Sequence, residues 1–364
     1  HTNDRRQRQM CIRDRYPLGA SLSEHTDRIF IEQQQIAEKE INHDQIAKLY
    51  SDIIILLRSI GIIRNKEQLK EYDNLIKTPI LKDESKALTI SAKIYYNNIY
   101  NTYYYAKGEP DQSLTYLVRC LELWEHHPER IRENPKGYLV ILHNILLSQL
   151  MLYKFEDFHK TLRKLNVMKP KSQGARIDVF TTYHELLMGY YVTVGKPEEG
   201  IELIPKVMEG MKEFEGKMVN VHEWELYLYF ATLYFCNGDY FKAIEWLHKL
   251  FYISSGELHP EKNSIARIMQ LIANYEAQNF RIIKDLYKQT YQFFRSKKLL
   301  YKFEELAMDF ISKLPNVKHY DEFISMLKDL RVKLKKLSKD PYEKKAFELF
   351  DLCLLYTSPS PRDA

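Results

Sequence analysis

Two positions in this chain begin the pattern that zinc hydrolases use. His184-Glu185 and His222-Glu223 each open like HExxH, in which two histidines one helical turn apart hold the metal and the glutamate acts as base. Both lack the second histidine: the fourth residue on is Met188 in one case and Leu226 in the other. One ligand remains where three or four are needed. The phosphate-cradling patterns GxxxxGK[ST] and GxGxxG are absent, and no pair of carboxylates stands out from a solvated helix face. The expectation is therefore a protein without catalytic, cofactor-binding or metal-ligating residues, and not an enzyme.

Chemistry of another kind, recognition, is better provided for. Tyr95, Tyr96, Tyr100, Tyr103, Tyr104 and Tyr105 share one segment with Asn97, Asn98 and Asn101. At helical spacing Asn97, Asn101 and Tyr104 fall on one face. An Asn amide offers a donor and an acceptor to an extended backbone, and a Tyr ring adds apolar contact. These three are the candidate peptide-binding residues. The competing reading makes the tyrosines core, with hydroxyls at the rim. A second stretch, Arg281 to Phe303, interleaves Arg281, Lys284, Lys288, Arg295, Lys297, Lys298 and Lys302 with Tyr287, Tyr291, Phe293, Phe294 and Tyr301. Charge with stacking can hold single-stranded nucleic acid. However, Tyr287, Tyr291 and Phe294 lie at i, i+4 and i+7, the spacing of a core stripe, and Glu304, Glu305 and Asp309 follow at once. Nucleic acid is not the expected partner.

Such faces need elements to carry them, and the chain supplies these with a period. Turn positions Gly108, Tyr153, Gly195, Gly238 and Gln278 are spaced 45, 42, 43 and 40 residues apart. Three residues before each stand Tyr105, Leu150, Val192, Phe235 and Tyr275; two after come Pro110, Phe155, Pro197, Tyr240 and Phe280; nine after come Leu117, Leu162, Ile204, Leu247 and Tyr287. Helical spacing inside a period of this size signals an α-solenoid of stacked helix pairs. No alternating β-branched run bounded by turn residues is present. The apolar run Ile53–Leu57 is far short of the ~20 residues that span a bilayer.

Helices are expected near 21–38, 43–60, 66–77 and 86–107, with turns at Asn42, Gly61 and Lys82-Asp83. The pairs that follow are 111–125 with 138–153, 155–165 with 176–194, 198–213 with 219–236, 240–252 with 262–277, and 280–296 with 300–313. Helices near 319–338 and 341–352 come last. Pro128, Pro135, Pro170 and Pro260 are assigned to loops between pairs. The segment before Gly238 carries Val221, Trp224, Leu228, Ala231 and Phe235 on one stripe and Leu226, Phe230 and Leu233 on another, as an inner solenoid helix must. Five residues past each turn are Ser113, Phe158, Gly200, Ala243 and Ile283; three of these are small enough for a close helix crossing.

The two ends read differently. Met10–Arg15 can be encoded by ATGTGTATAAGAGACAG followed by one more base, and the reverse complement of that DNA, one frame over, reads as Cys353–Ser358. Arg5–Arg15 and Cys353–Asp363 resemble translated mosaic-end adapters, so residues 1–15 and 353–364 are expected to be non-native segments flanking one array over 16–352. Formal charge is +5 for all 364 residues but only +2 for 16–352, since five Arg against Asp4 and Asp14 lie in the first fifteen. The basic arm is thus no argument for nucleic acid or a membrane. Of four cysteines, Cys120 and Cys236 remain, without metal-ligand spacing, which suggests core thiols and a cytoplasmic protein.

Ala231-x3-Phe235 followed by Gly238-Asp-Tyr-Phe-Lys-Ala243-Ile resembles the tetratricopeptide-repeat turn, with weaker copies at Gly195–Ile201 and Gly108–Leu114. The period here is longer than the usual ~34 residues, which implies extended helices. Thr290–Glu305 and Lys339–Asp351 also resemble the C-terminal part of helical-repeat proteins of Bacteroidetes. What the resemblance implies is an all-α, tetratricopeptide-like solenoid that binds a protein or peptide partner along a groove without chemistry of its own. The alternative is the sensor part of a peptide-responsive regulator whose output domain, such as a helix-turn-helix, would lie upstream of Tyr16.

Overall fold

A computed structural model describes residues 22–253, 260–317 and 319–343. The two terminal segments expected to be non-native lie outside these residues, as does most of the expected last helix, 341–352. Among the described residues all regular structure is α-helix or short 3-10 turn. None of these helices is long and apolar enough to cross a membrane.

The chain opens with α1 (Leu22–Ile60) and α2 (Lys66–Ile76). Helix α1 runs without a break through Asn42, where a turn was expected. The Asn42 side chain works sideways instead: its Nδ2 donates to Lys86 O (2.8 Å) and its Oδ1 accepts from Leu88 N–H (3.0 Å). An Asn engaged across helices has no need to turn its own backbone. Two 3-10 turns over residues 79–86 lead to α3 (Ile90–Lys107), which starts four residues later than expected because Thr89 caps it, its hydroxyl accepting from Ala92 N–H at 3.0 Å.

The array follows as α3 with α4 (Pro110–Glu125), a short α5 (Pro128–Glu133), α6 (Pro135–Met151) with α7 (Phe155–Asn166), α8 (Gln173–Thr193) with α9 (Pro197–Ile201) and α10 (Ile204–Glu213), α11 (Asn220–Cys236) with α12 (Tyr240–Tyr252), α13 (Pro260–Glu276) with α14 (Phe280–Ser296), and α15 (Lys302–Lys313) with α16 (Tyr320–Leu337). Pro128, Pro135 and Pro260 are first helical residues rather than loop residues, at the position where a missing N–H leaves nothing unpaired. The helix expected over 198–213 is broken after Ile201. Pro205 has no N–H for the Ile201 carbonyl and its ring would clash there.

All five turn positions adopt the left-handed conformation: φ is 71° at Gly108, 54° at Tyr153, 69° at Gly195, 77° at Gly238 and 59° at Gln278. Each turn closes with the same pair of hydrogen bonds. Gly238 N–H donates to Phe235 O (3.1 Å) and Asp239 N–H to Tyr234 O (3.0 Å). Gln278 and Asn279 do the same to Tyr275 and Asn274, at 3.0 and 2.8 Å. The period read in the sequence is thus the repeat of one backbone motif, and Lys298 (φ 57°) adds a sixth copy through Lys298 N–H to Arg295 O and Leu299 N–H to Phe294 O.

The pairs are held by apolar burial. Ser113, Phe158, Gly200, Ala243 and Ile283, five past each turn, are all buried. In α11 Trp224, Leu226, Leu228, Phe230, Ala231, Leu233 and Phe235 are buried, so both stripes are covered; Ala243, Ile244, Trp246 and Leu247 of α12 close over one of them. Each such large side chain contributes roughly 1.5–3 kcal/mol relative to exposure.

Candidate peptide-binding surface

The first helices of successive pairs touch one another: α6 meets α8, α8 meets α11, α11 meets α13, and α13 meets α15. Among the described residues no second helix makes a contact of that size with the second helix of the next pair. In a curved array the row in contact is the concave one, which makes the first helices the inner row. On that inner row an acid–base ladder crosses four helices. Lys136 (α6) lies 3.3 Å from Asp178 (α8), whose other oxygen is 3.1 Å from His222 Nε2 (α11). Two turns along α6 and α8, His143 (α6) reaches Glu185 (α8) at 3.8 Å, and Lys262 (α13) bridges Glu185 at 3.7 Å and Glu225 (α11) at 2.8 Å. Burial by itself would lower the Lys262 pKa; the Glu185 and Glu225 carboxylates overcome it, and the ammonium is held above its usual value. Glu185 is only 4% exposed, so the charge sits deep in the row. Between the two rungs, Val140 shares the α6 face with Lys136 and His143 and stands 43% exposed.

Polar groups also accumulate behind this face. Thr181 Oγ1 and His222 Nδ1 are buried with no hydrogen-bond partner among the described residues. A buried orphan acceptor or donor costs about 1–3 kcal/mol, a cost that no described residue offsets at either atom.

Asn97, Asn101 and Tyr104 all lie on α3, and the structure places them together, though not on the ladder. Asn97 is fully buried; its Nδ2 donates to Glu84 Oε1 and to Lys93 O, both at 2.8 Å, while its Oδ1 has no partner among the described residues. Asn101 is buried against α4, with its Oδ1 accepting from Ser113 Oγ at 2.7 Å. Tyr104 is half-buried and stacks on Tyr116 at 5.6 Å, with Lys107 over its ring at 5.7 Å. The neighbouring tyrosines serve as core with engaged hydroxyls: Tyr100 donates to Leu81 O (2.6 Å) and Tyr103 to Asp73 (2.7 Å).

The half-motifs at His184 and His222 resolve differently. His184 turns away from the ladder, packing on Phe180 (ring centroids 4.4 Å apart) with Nδ1 2.8 Å from Phe180 O, and burial lowers its pKa. Glu185 and His222 are ladder members. Reading each His-Glu pair along its own helix hides this, because the partners come from other first helices, one or two repeats away. In the basic stretch, Phe294 is fully buried and Tyr287 stacks on Tyr291 at 6.1 Å, while Arg281, Lys284, Lys288 and Arg295 are exposed. Cys120 and Cys236 are free thiols; burial pushes the Cys236 thiol up to about 12.

No protein-family model matches the chain, and no curated protein matches it. Among solved structures, the crystal structure of NprR in complex with its cognate peptide NprX is similar over 92% of this chain and 92% of that one, with a TM-score of 0.53 and 13% sequence identity. At that identity the likeness concerns the fold: the chain is built as a helical-repeat array of the same overall arrangement.

Proposed function

We propose that this protein is a non-catalytic helical-repeat scaffold that binds a peptide or an extended protein segment along the inner face of α6, α8, α11 and α13. The observation that carries the reading is the ladder from Lys136 and His143 to Lys262, with Val140 exposed between its rungs. Buried charge pairs are weak stabilisers because desolvation offsets their attraction. On the exposed side the Lys136 ammonium beside Val140 offers a charge next to an apolar contact, as a recognition surface does. Helix axes ~9 Å apart put four first helices across ~27 Å, the length of roughly eight residues of extended chain. The similarity to NprR, whose structure holds a peptide, agrees with this choice of partner.

The α3 face of Asn97, Asn101 and Tyr104 is the alternative seat. One experiment separates the two: selection of a displayed library of random short peptides on the immobilised full chain, followed by binding of the enriched peptides to Val140→Glu and to Asn97→Ala/Asn101→Ala. Loss with Val140→Glu alone supports the inner ladder, and loss with the Asn variant alone moves the site to α3. If nothing is enriched, or if both folded variants bind as the parent does, the reading fails.

A further inference from the structure

In a solenoid each unit touches only its neighbours, yet here the two ends of the described array meet. Arg64, at the corner between α1 and α2, forks onto Glu304 of α15, with Nη1 donating to Oε1 at 3.2 Å and Nη2 to Oε2 at 3.0 Å; Nη2 also donates to Glu343 at 2.6 Å. The guanidinium lies 4.3 Å over the Tyr301 ring, and Gln68 Nε2 donates to the Tyr301 hydroxyl at 3.1 Å. Arg64, Glu304 and Glu343 are 8%, 5% and 2% exposed. Both sides of the contact are anchored. Ile63 N–H donates to Ala106 O (2.9 Å) and Arg64 N–H to Gln68 Oε1 (2.6 Å), while Phe303 N–H donates to Glu343 Oε2 (3.3 Å). Lys302 and Asp340 pair at the rim, 2.7 Å apart, and Tyr342 packs against the N-terminal core.

We infer that Arg64, Glu304 and Glu343 form a latch that joins the ends of the array and sets the curvature of its inner face. Two carboxylates face one guanidinium in a dry seam. Burial pushes the Glu304 carboxyl above its ordinary value even with Arg64 beside it, so the pair of acids is tolerated only because Arg64 stands between them. Removing Arg64 leaves two carboxyls in a dry seam without a counter-charge; while ionised they regain water by moving apart, and the seam is where the array can part without breaking a repeat. Replacing all three groups by apolar residues removes the repulsion along with the attraction and leaves the seam closed. The latch does not depend on what the inner face binds.

The test is small-angle scattering of the full chain, with hydrogen exchange read by peptide. Arg64→Ala is expected to raise the radius of gyration and to speed exchange in the Ile63–Gln68 and Tyr301–Glu305 segments together, leaving α6–α11 protected. Arg64→Lys, which keeps the charge and gives up the fork, is expected to lie between it and the parent. The triple variant Arg64→Met/Glu304→Leu/Glu343→Leu is expected to stay as compact as the parent. A radius of gyration in Arg64→Ala equal to the parent's would overturn the latch, as would the same result in Arg64→Lys should the alanine variant not fold. A triple variant as open as Arg64→Ala would overturn the account by charge.

Discussion

A Cβ built on Gly200 would stand 2.4 Å from Leu233 Cδ2 and 3.2 Å from Tyr191 Cβ. Leu233 is fully buried, so its methyl has nowhere to retreat. Gly200 is therefore a close-approach glycine between α9 and α11. Gly200→Val should lower the melting midpoint, with overpacking costing about 1–3 kcal/mol. A midpoint equal to the parent's would mean that the α9 start lies farther from α11 than described.

The same position in the next pair is Ala243, also fully buried. Ala243→Arg adds a charge to the overpacking and should loosen or unfold the α11–α12 pair. Circular dichroism with an unchanged melting curve would show that Ala243 can reach solvent. Phe158 and Ile283 occupy the equivalent place in other pairs and are buried too, so the crossing distance is not uniform along the array.

The turns invite a reciprocal experiment. Gln278 holds φ 59° without being glycine, a conformation that costs an L-residue roughly 1–2 kcal/mol. Gln278→Gly should raise stability by about 1 kcal/mol. Gly195→Ala should lower it by a similar amount through conformation alone, since a Cβ there meets nothing within 4 Å. Urea denaturation of the two variants checks both signs, and a shift of the same sign in each would refute the argument.

What could be read from the chain follows from what repeats. The left-handed turn announces itself by Gly108, Gly195 and Gly238, and the spacing then picks out Tyr153 and Gln278, whose residue types give no hint. Asn42 was misread because a lateral bond to Lys86 and Leu88 has the same sequence signature as a turn. The ladder has no such signature, since its contacts join side chains one or two repeats apart, and Arg64 meets Glu304 across 240 positions and Glu343 across 279, leaving no periodic trace. Periodicity reveals the unit; it is silent on contacts that occur once.

Acid should weaken the fold through His184. Burial holds its imidazole below the ordinary value, while in the unfolded chain it titrates near pH ~6.5. Below that pH the unfolded chain takes up a proton that the folded chain refuses. The folded state is therefore unpenalised above about pH 6.5 and loses stability as pH falls through it. Comparing melting midpoints at about pH 7.5 and about pH 5.5, His184→Gln should show a smaller drop than the parent. An equal drop would assign the pH dependence to other groups.

Asn97 and Asn101 offer the closing test, because structure and recognition make different demands on them. Inside the fold Asn101 Oδ1 receives the Ser113 hydroxyl and Asn97 Nδ2 holds Glu84, so truncating either leaves a buried or half-buried polar group short of a partner. Each loss should cost about 1–3 kcal/mol. Ser113→Ala breaks the first bond from the other side without touching α3, and its cost should not add to that of Asn101→Ala if the two residues act as a pair. A double-mutant cycle by urea denaturation measures the coupling. Coupling near zero would mean that Asn101 does not depend on Ser113 and that the bond between them adds nothing to the fold.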